Sequence, residues 1–231
     1  MTRRIFISGT NTDIGKTVIT RAIARALVRR GIRVAVIKPV ESGAEVQDGE
    51  LFPADGTALH RAAQMPGPSS QCSKYVFETA VSPHYAALLL GKKVDSKVIA
   101  DVLDEAAVGA DVVLSEGAGG FLVPLAPGLL YGDVIAMSGY ELLIVAPNRL
   151  GAINTTLLTL EAARHREVHV MGVILNGTVD IELNNRDAIA QFGAVPVLGE
   201  FPTAPLKGTP EDDELLADLA ELHIDLSAFV P

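Results

Sequence analysis

The sequence predicts an α/β fold, a doubly wound, mostly parallel sheet flanked by helices. Three observations lead there. Short apolar runs alternate with longer stretches of helical character along the whole chain. The runs are rich in Val and Ile and are continuous, the pattern of strands buried on both faces. Their repeated order, strand then helix then strand, builds right-handed βαβ units.

The elements follow in chain order. A strand is expected at 3–8 and an amphipathic helix at 16–30. A second strand at 33–38 is followed by a helix at 57–64. The helix at 97–108 leads into a third strand at 111–115. Next come a strand at 142–146 with a helix at 152–164, and a strand at 169–175 with a helix at 181–191. A strand at 195–198 and a helix at 210–222 close the alternation. Two long connections, 41–68 and 117–132, carry few strand signals, and long connections inside an α/β fold tend to be functional or mobile.

Composition limits the function. The chain has 231 residues, 48% hydrophobic and 20% charged, so residues 1–231 read as one globular domain with a sizeable core. Lys+Arg is 19 against Asp+Glu 28, a net charge of −9, which argues against a nucleic-acid or anionic-membrane binder. The one cysteine, Cys72, leaves no partner for an intrachain disulfide and no cysteine-based zinc site. The apolar run at the start is too short for a signal sequence, and no apolar stretch approaches the ~20 residues that span a bilayer. The acidic tail, without Lys or Arg after 210, does not suit a membrane-surface helix. A soluble cytoplasmic protein is the expectation.

Open α/β sheets bind ligands at the carboxyl ends of their strands, so the residues just after each strand are the candidates. The first strand runs into Gly9-Thr10-Asn11-Thr12-Asp13-Ile14-Gly15-Lys16-Thr17, which opens a helix. Backbone N–H groups in such a loop point at phosphate oxygens. Lys16 adds a cation within reach of the terminal phosphates, and the Thr17 hydroxyl can ligate Mg²⁺. This makes the fold P-loop NTPase-like, although five residues separate the glycines where the usual motif has four. The loop calls for a nucleoside triphosphate and magnesium without fixing the chemistry.

Lys38 ends the second strand and is a second cation, on the substrate side. A lysine at the mouth of a buried strand needs compensating anions, unless it snorkels to solvent. Ser42 follows, able to hydrogen-bond a substrate. Glu116 ends the third strand, where a P-loop places its magnesium partner. Gly117 and Gly119, around Ala118, let a ligand approach the backbone. Asp55 precedes a helix and reads either as a plain N-cap or as a metal ligand. Leu150-Gly151-Ala152 opens a helix after the fourth strand, a second candidate for an anion nest. Asn176 ends the fifth strand and suits a purine edge, or is simply part of a turn with Gly177. The five histidines form no metal motif, and the sequence has no Gly-x-Ser-x-Gly elbow, so covalent hydrolase chemistry is not expected.

Taken together, these blocks resemble the dethiobiotin synthetase family of the biotin pathway. The resemblance rests on Gly9 to Thr17, Lys38-Pro39-Val40-Glu41-Ser42-Gly43, Ser82-Pro83-His84, Glu116-Gly117-Ala118-Gly119-Gly120, Leu150-Gly151-Ala152-Ile153-Asn154 and Gly199-Glu200-Phe201-Pro202. They occur in the family's order, and the five-residue loop spacing is normal there. The resemblance implies a ligase with ATP as co-substrate and Mg²⁺ as cofactor. It would close a ureido ring on 7,8-diaminopelargonate with CO₂ (from bicarbonate), through a carbamate and a carbamic–phosphoric anhydride, to give dethiobiotin, ADP and phosphate.

The resemblance also implies roles. Lys38, Lys16 and Thr17 would be catalytic, with Thr17, Asp55 and Glu116 holding the metal. Asp13, Ile14, Gly15, Lys16, Thr17 and Val18 would bind the nucleotide. So would Asp55, Glu116, Gly117, Ala118 and Gly119, with Asn176, Gly177, Pro202, Thr203 and Ala204 around the base. Thr12, Ser42, Pro83, Leu150, Gly151 and Asn154 would bind the diamine. A homodimer is implied, with the substrate's carboxylate tail at the interface and the 150–154 turn reaching over from the partner. The alternative of another class is a P-loop switch ATPase of the partition or cell-division type. Those carry Lys-Gly-Gly-x-Gly-Lys-Thr, whereas Ser8-Gly9-Thr10 stands here without the signature lysine.

Overall fold

The longest apolar runs pair into one sheet because their alternate side chains fill two cores. The protein is described by a computed structural model covering residues 2–178 and 183–230. Ile181 and Glu182, the start of the helix expected at 181–191, lie outside the described residues, as do the two chain ends.

The chain opens with β1 (Arg3–Gly9), α1 (Lys16–Arg29) and β2 (Val34–Ile37). The following connection holds β3 (Val40–Ser42), β4 (Glu45–Gln47), β5 (Glu50–Phe52), α2 (Ala54–Ala62), a 3₁₀ turn (Ser69–Cys72) and β6 (Tyr75–Phe77). Then come α3 (Pro83–Leu89), α4 (Ser96–Ala106), β7 (Val112–Gly120), β8 (Pro124–Ala126), β9 (Leu129–Leu130) and α5 (Tyr131–Ser138). The last third runs β10 (Glu141–Pro147), α6 (Ala152–Arg164), β11 (Val170–Asn176), α7 (Asn185–Gly193), β12 (Val197–Phe201) and α8 (Asp212–His223).

The main sheet has the order β12-β11-β10-β1-β7-β2, and each neighbouring pair is parallel. Side chains alternate across it. Ile5 and Ile7 of β1 face a core built with Ile19, Ile23 and Leu27 of α1, Leu59 of α2 and Leu216 of α8. Phe6, between them, faces a second core with Ile99 and Leu103 of α4, Ile135 of α5, Leu160 of α6 and Ile189 of α7. Both faces are covered, which explains why the strands read as unbroken apolar runs. None of the described helices is long and apolar enough to cross a membrane.

Several expectations change in detail: the helix expected at 57–64 spans Ala54–Ala62, and the connection 117–132 holds the antiparallel β8–β9 pair and the start of α5. The connection 41–68 is not devoid of strands: β4 and β5 form an antiparallel hairpin in which Gln47 faces Glu50. Its two-residue turn is Asp48-Gly49, with φ of 52° and 84°, the left-handed geometry that such a hairpin demands. The third main strand does not stop at 115 but continues as β7 to Gly120, so Glu116 is a strand residue paired with Ile7.

Cys72 is fully buried against β2, and burial pushes its thiol up to about 12. Only the thiolate is nucleophilic. Iodoacetamide at pH 8 is therefore expected to leave the native protein unlabelled and to label it fully in denaturant. Rapid labelling of the native state would contradict this burial.

Candidate active site

The loop between β1 and α1 is held from several sides. The Thr10 N–H donates to the Val145 carbonyl at 3.1 Å, fixing the loop to the end of β10. At the end of β11 the Asn176 side chain donates Nδ2–H to the Ile14 carbonyl at 2.8 Å. Gly15 sits between, at φ 87°, and a Cβ there would stand 2.1 Å from Asn176 Nδ2. Glycine is thus required twice, by the left-handed backbone and by the close approach. Lys16 folds back so that Nζ–H donates to the Asn11 carbonyl at 3.2 Å. Its burial lowers its pKa, opposed by the charge of Glu116.

Lys38 follows β2, its N–H donating to the Cys72 carbonyl at 2.7 Å. Its side chain does not snorkel: Lys38 is 5% exposed, and Nζ is paired with both Asp55 and Glu116, the latter at 3.0 Å. Burial alone would depress the Lys38 pKa, but the charges and hydrogen bonds of Glu116 and Asp55 more than offset it and hold the pKa above the ordinary lysine value. The ammonium is therefore charged at neutral pH. Glu116 is completely buried. Its Oε1 accepts the Thr17 hydroxyl at 2.8 Å and its Oε2 lies 2.7 Å from the Thr20 hydroxyl.

These groups line one cavity of about 380 Å³. The lining is Thr12, Asp13, Gly15, Lys16, Thr17, Val18, Lys38, Ser42, Asp55, Glu116, Ala118 and Gly119. All were singled out in the sequence. A larger groove of about 610 Å³ runs along β2 between α4 and the end of α2, but its walls are mostly apolar and it has no phosphate-type loop. The smaller cavity is the one with chemistry.

Other expected residues sit elsewhere. Ile14 and Gly117 lie behind the cavity wall, Gly117 facing the Phe6 ring. The Gly177 N–H donates to the Phe201 carbonyl at 2.8 Å. Thr203 and Thr178 exchange two hydrogen bonds, of 3.0 and 3.1 Å, so Pro202, Thr203 and Ala204 run beside Asn176 and Gly177. Leu150 and Gly151 line a separate cavity of about 80 Å³ with Thr10 and Asn11. Leu150 is 88% exposed, and Asn154 lies in the first turn of α6. Pro83 is buried at the start of α3, outside the main cavity. The chain just before it touches the Ser42–Gly43 bend, Ala80 Cβ lying 3.2 Å from where a Gly43 Cβ would be.

Sequence reasoning missed three polar residues here. Thr20 lies one turn after Lys16 and three residues after Thr17, so the helical period could have placed it beside Glu116. Glu41 and Ser73 offered no comparable signal, because their meeting depends on the packing of β3 against the chain before β6. The Glu41 carboxylate is buried, which raises its pKa against the opposing N–H groups of Gly56 and Asp55. Asp55 is not an N-cap: it is the second residue of α2, and its own N–H donates to Glu41 Oε1 at 2.9 Å.

Thr17, Glu116 and Asp55 bring a hydroxyl and two carboxylates to one side of the cavity. Among the described residues no trio of His, Cys, Asp or Glu forms a self-sufficient metal cage. An oxygen set with two carboxylates suits magnesium, which keeps waters and takes phosphate oxygens for its remaining positions.

A family model described as an AAA domain matches residues 3–211. An ATP-dependent dethiobiotin synthetase of Lysinibacillus sphaericus is 37% identical over 203 residues, covering 85% of this chain and 86% of that one. The enzyme of the same name from Halalkalibacterium halodurans is 34% identical over 208 residues, covering 88% and 86%. The chain belongs to the ATP-dependent dethiobiotin synthetase family. A third dethiobiotin synthetase, from Akkermansia muciniphila, is 34% identical and is covered over 92% of its length.

The fold of this dethiobiotin synthetase family member is shared more widely. The septum site-determining protein MinD of Pyrococcus horikoshii, complexed with Mg-ADP, aligns with a TM-score of 0.59 at 20% identity, over 96% of both chains. A ParA family ATPase from Chlorobium tepidum aligns at 0.56 and 16%, over 96% of this chain and 93% of that one. These likenesses show the fold alone.

Proposed function

We propose that the protein is an ATP-dependent dethiobiotin synthetase that closes the ureido ring of dethiobiotin from 7,8-diaminopelargonate and CO₂. The observation that carries this reading is the buried Lys38, held charged between Glu116 and Asp55 and facing the same cavity as Lys16. A switch ATPase of the partition type carries both of its lysines in the loop and needs no cation at the end of the second strand. A second fixed cation answers a different demand, an anionic carbamate that must approach an anionic phosphate.

The steps follow. One substrate amine adds to CO₂, giving a carbamate and a proton. The loop N–H groups and Lys16 hold the β- and γ-phosphates of ATP. Lys38 and Ser42 orient the carbamate, so that its oxygen attacks the γ-phosphorus while the bond to ADP breaks. The second amine then attacks the carbamyl carbon, its proton is released, and phosphate departs. The chain's contribution is charge and position, with reacting atoms held in line. Thr17, Glu116 and Asp55 would hold Mg²⁺, which when bound neutralises phosphate charge. Asn176, Gly177 and Pro202 to Ala204 would enclose the base.

The exposed Leu150, beside Gly151 and away from the main cavity, supports a homodimer in which the 150–154 turn and Asn154 serve the partner's substrate tail. Residues 1–231 are read as one P-loop α/β domain, working in the cytoplasm.

Phosphate release from ATP with Mg²⁺ and bicarbonate, with and without 7,8-diaminopelargonate, tests the proposal. Release is expected to depend on the diamine, with one dethiobiotin formed per phosphate. Hydrolysis indifferent to the diamine would overturn the synthetase in favour of a switch ATPase.

A further inference from the structure

Glu41 forms no ion pair among the described residues, although the Lys38 charge acts on it, and it is 4% exposed. Burying such a group costs free energy unless its oxygens are satisfied. They are: Oε1 accepts the Asp55 N–H at 2.9 Å, and Oε2 accepts the Gly56 N–H at 3.0 Å and the Ser73 hydroxyl at 3.1 Å. Asp55 and Gly56 belong to the first turn of α2, whose N-cap residue, Pro53, provides no side-chain cap. The first N–H groups of a helix need acceptors, and a negative charge there is favoured. Here both come from a residue fourteen positions upstream.

A local Ser or Asp at the N-cap would do the same for the helix alone, without burying a charge. The remote cap does something more. Glu41 lies three residues after Lys38, so it fastens the start of α2 to the segment that carries Lys38. The packing leaves no slack, since a Cβ on Gly56 would stand 2.2 Å from Ser73 Oγ and 3.3 Å from Glu41 Oε2. The Asp55 side chain is 43% exposed, so its placement against Lys38 depends on a fixed backbone.

We infer that Glu41 is a positioning residue: by holding the first turn of α2 to the Lys38 segment, it sets where the Asp55 carboxylate stands for magnesium. The inference rests on the proposed metal role of Asp55.

The test is turnover against Mg²⁺ concentration at saturating ATP and diamine, alongside calorimetry of metal-free ADP. In Glu41→Ala the Mg²⁺ needed for half-maximal turnover is expected to rise roughly tenfold or more, the size usual for partners that orient a metal ligand. Metal-free ADP should bind as in the parent. Glu41→Gln keeps one acceptor oxygen and should fall between the two, and it carries the test if Glu41→Ala does not fold. In an Asp55→Ala background the Glu41→Ala change should add little, because the ligand it positions is gone. An unchanged Mg²⁺ dependence in Glu41→Ala, with Asp55→Ala strongly affected, overturns the positioning role alone. An unchanged dependence in Asp55→Ala overturns the metal reading of Asp55 and with it this inference. Equal losses of Mg²⁺ response and metal-free ADP binding would mark general damage to the site and also overturn it.

Discussion

Lys38→Ala is expected to lower turnover by at least about a hundredfold while leaving ATP binding near the parent value, the mark of a charge used chiefly in the transition state. Lys38 lines the same cavity as the loop, its Nζ bound to the Glu116 oxygen that also accepts the Thr17 hydroxyl. Its charge is secured by Glu116 and Asp55, so an ammonium would be present to meet the carbamate of the proposed reaction. Without it, the attacking oxygen and the γ-phosphate repel each other inside a cavity that screens charge poorly.

The same substitution has a stability cost. Glu116 is fully buried, and removing one partner of a buried ion pair costs on the order of 3 kcal/mol. Thr17 and Thr20 keep their hydrogen bonds to it, which limits the loss. Lys38→Ala should therefore melt at a lower temperature than the parent. Adding Glu116→Gln should recover much of the melting temperature and none of the turnover. If Lys38→Ala turns over normally, Lys38 has no part in the mechanism. If Glu116→Gln recovers the activity, the loss came from a disordered site and not from a missing cation.

The parts of this protein that were legible in the sequence are those decided by local pattern. The main strands were visible because burial on both faces leaves continuous apolar runs, as in residues 142–146. The loop was visible because its chemistry needs a glycine, a lysine and a threonine in fixed succession. The β4–β5 hairpin was missed although Asp48-Gly49 is a strong turn signal, because Val46 and Leu51 are exposed and their flanks are charged. Its strands are too short to show a period. The end of β7 was missed for another reason. Gly117, Gly119 and Gly120 have poor strand propensity, Gly119 is left-handed at φ 74°, and Gly120 pairs with Gly9 of β1 only after a shift in register. Within the site, Lys38 and Glu116 announced themselves as charges ending apolar strands. Glu41 did not, because a carboxylate in a glycine-rich connection reads as solvated. Its burial depends on Ser73 and on the first turn of α2, thirty-two and fourteen residues away.

Lys16→Ala should behave differently from Lys38→Ala, and the contrast is the sharper test of the two roles. Lys16 belongs to the loop, and in the proposed mechanism it would contact phosphate both before and during the reaction. Its loss should weaken ATP binding about tenfold and lower turnover by roughly a hundredfold as well. Its ammonium rests on the Asn11 carbonyl, and burial disfavours its charge, so a bound phosphate would supply a favourable partner. That differential gain belongs to binding. Stability should change little, because among the described residues Lys16 makes no ion pair that its removal would leave exposed in the core. Unchanged ATP affinity and turnover in Lys16→Ala would overturn the loop assignment. A switch ATPase would show the Lys16 effect and be indifferent to Lys38. A synthetase must show both, with ATP affinity lost at Lys16 and diamine-dependent turnover lost at Lys38.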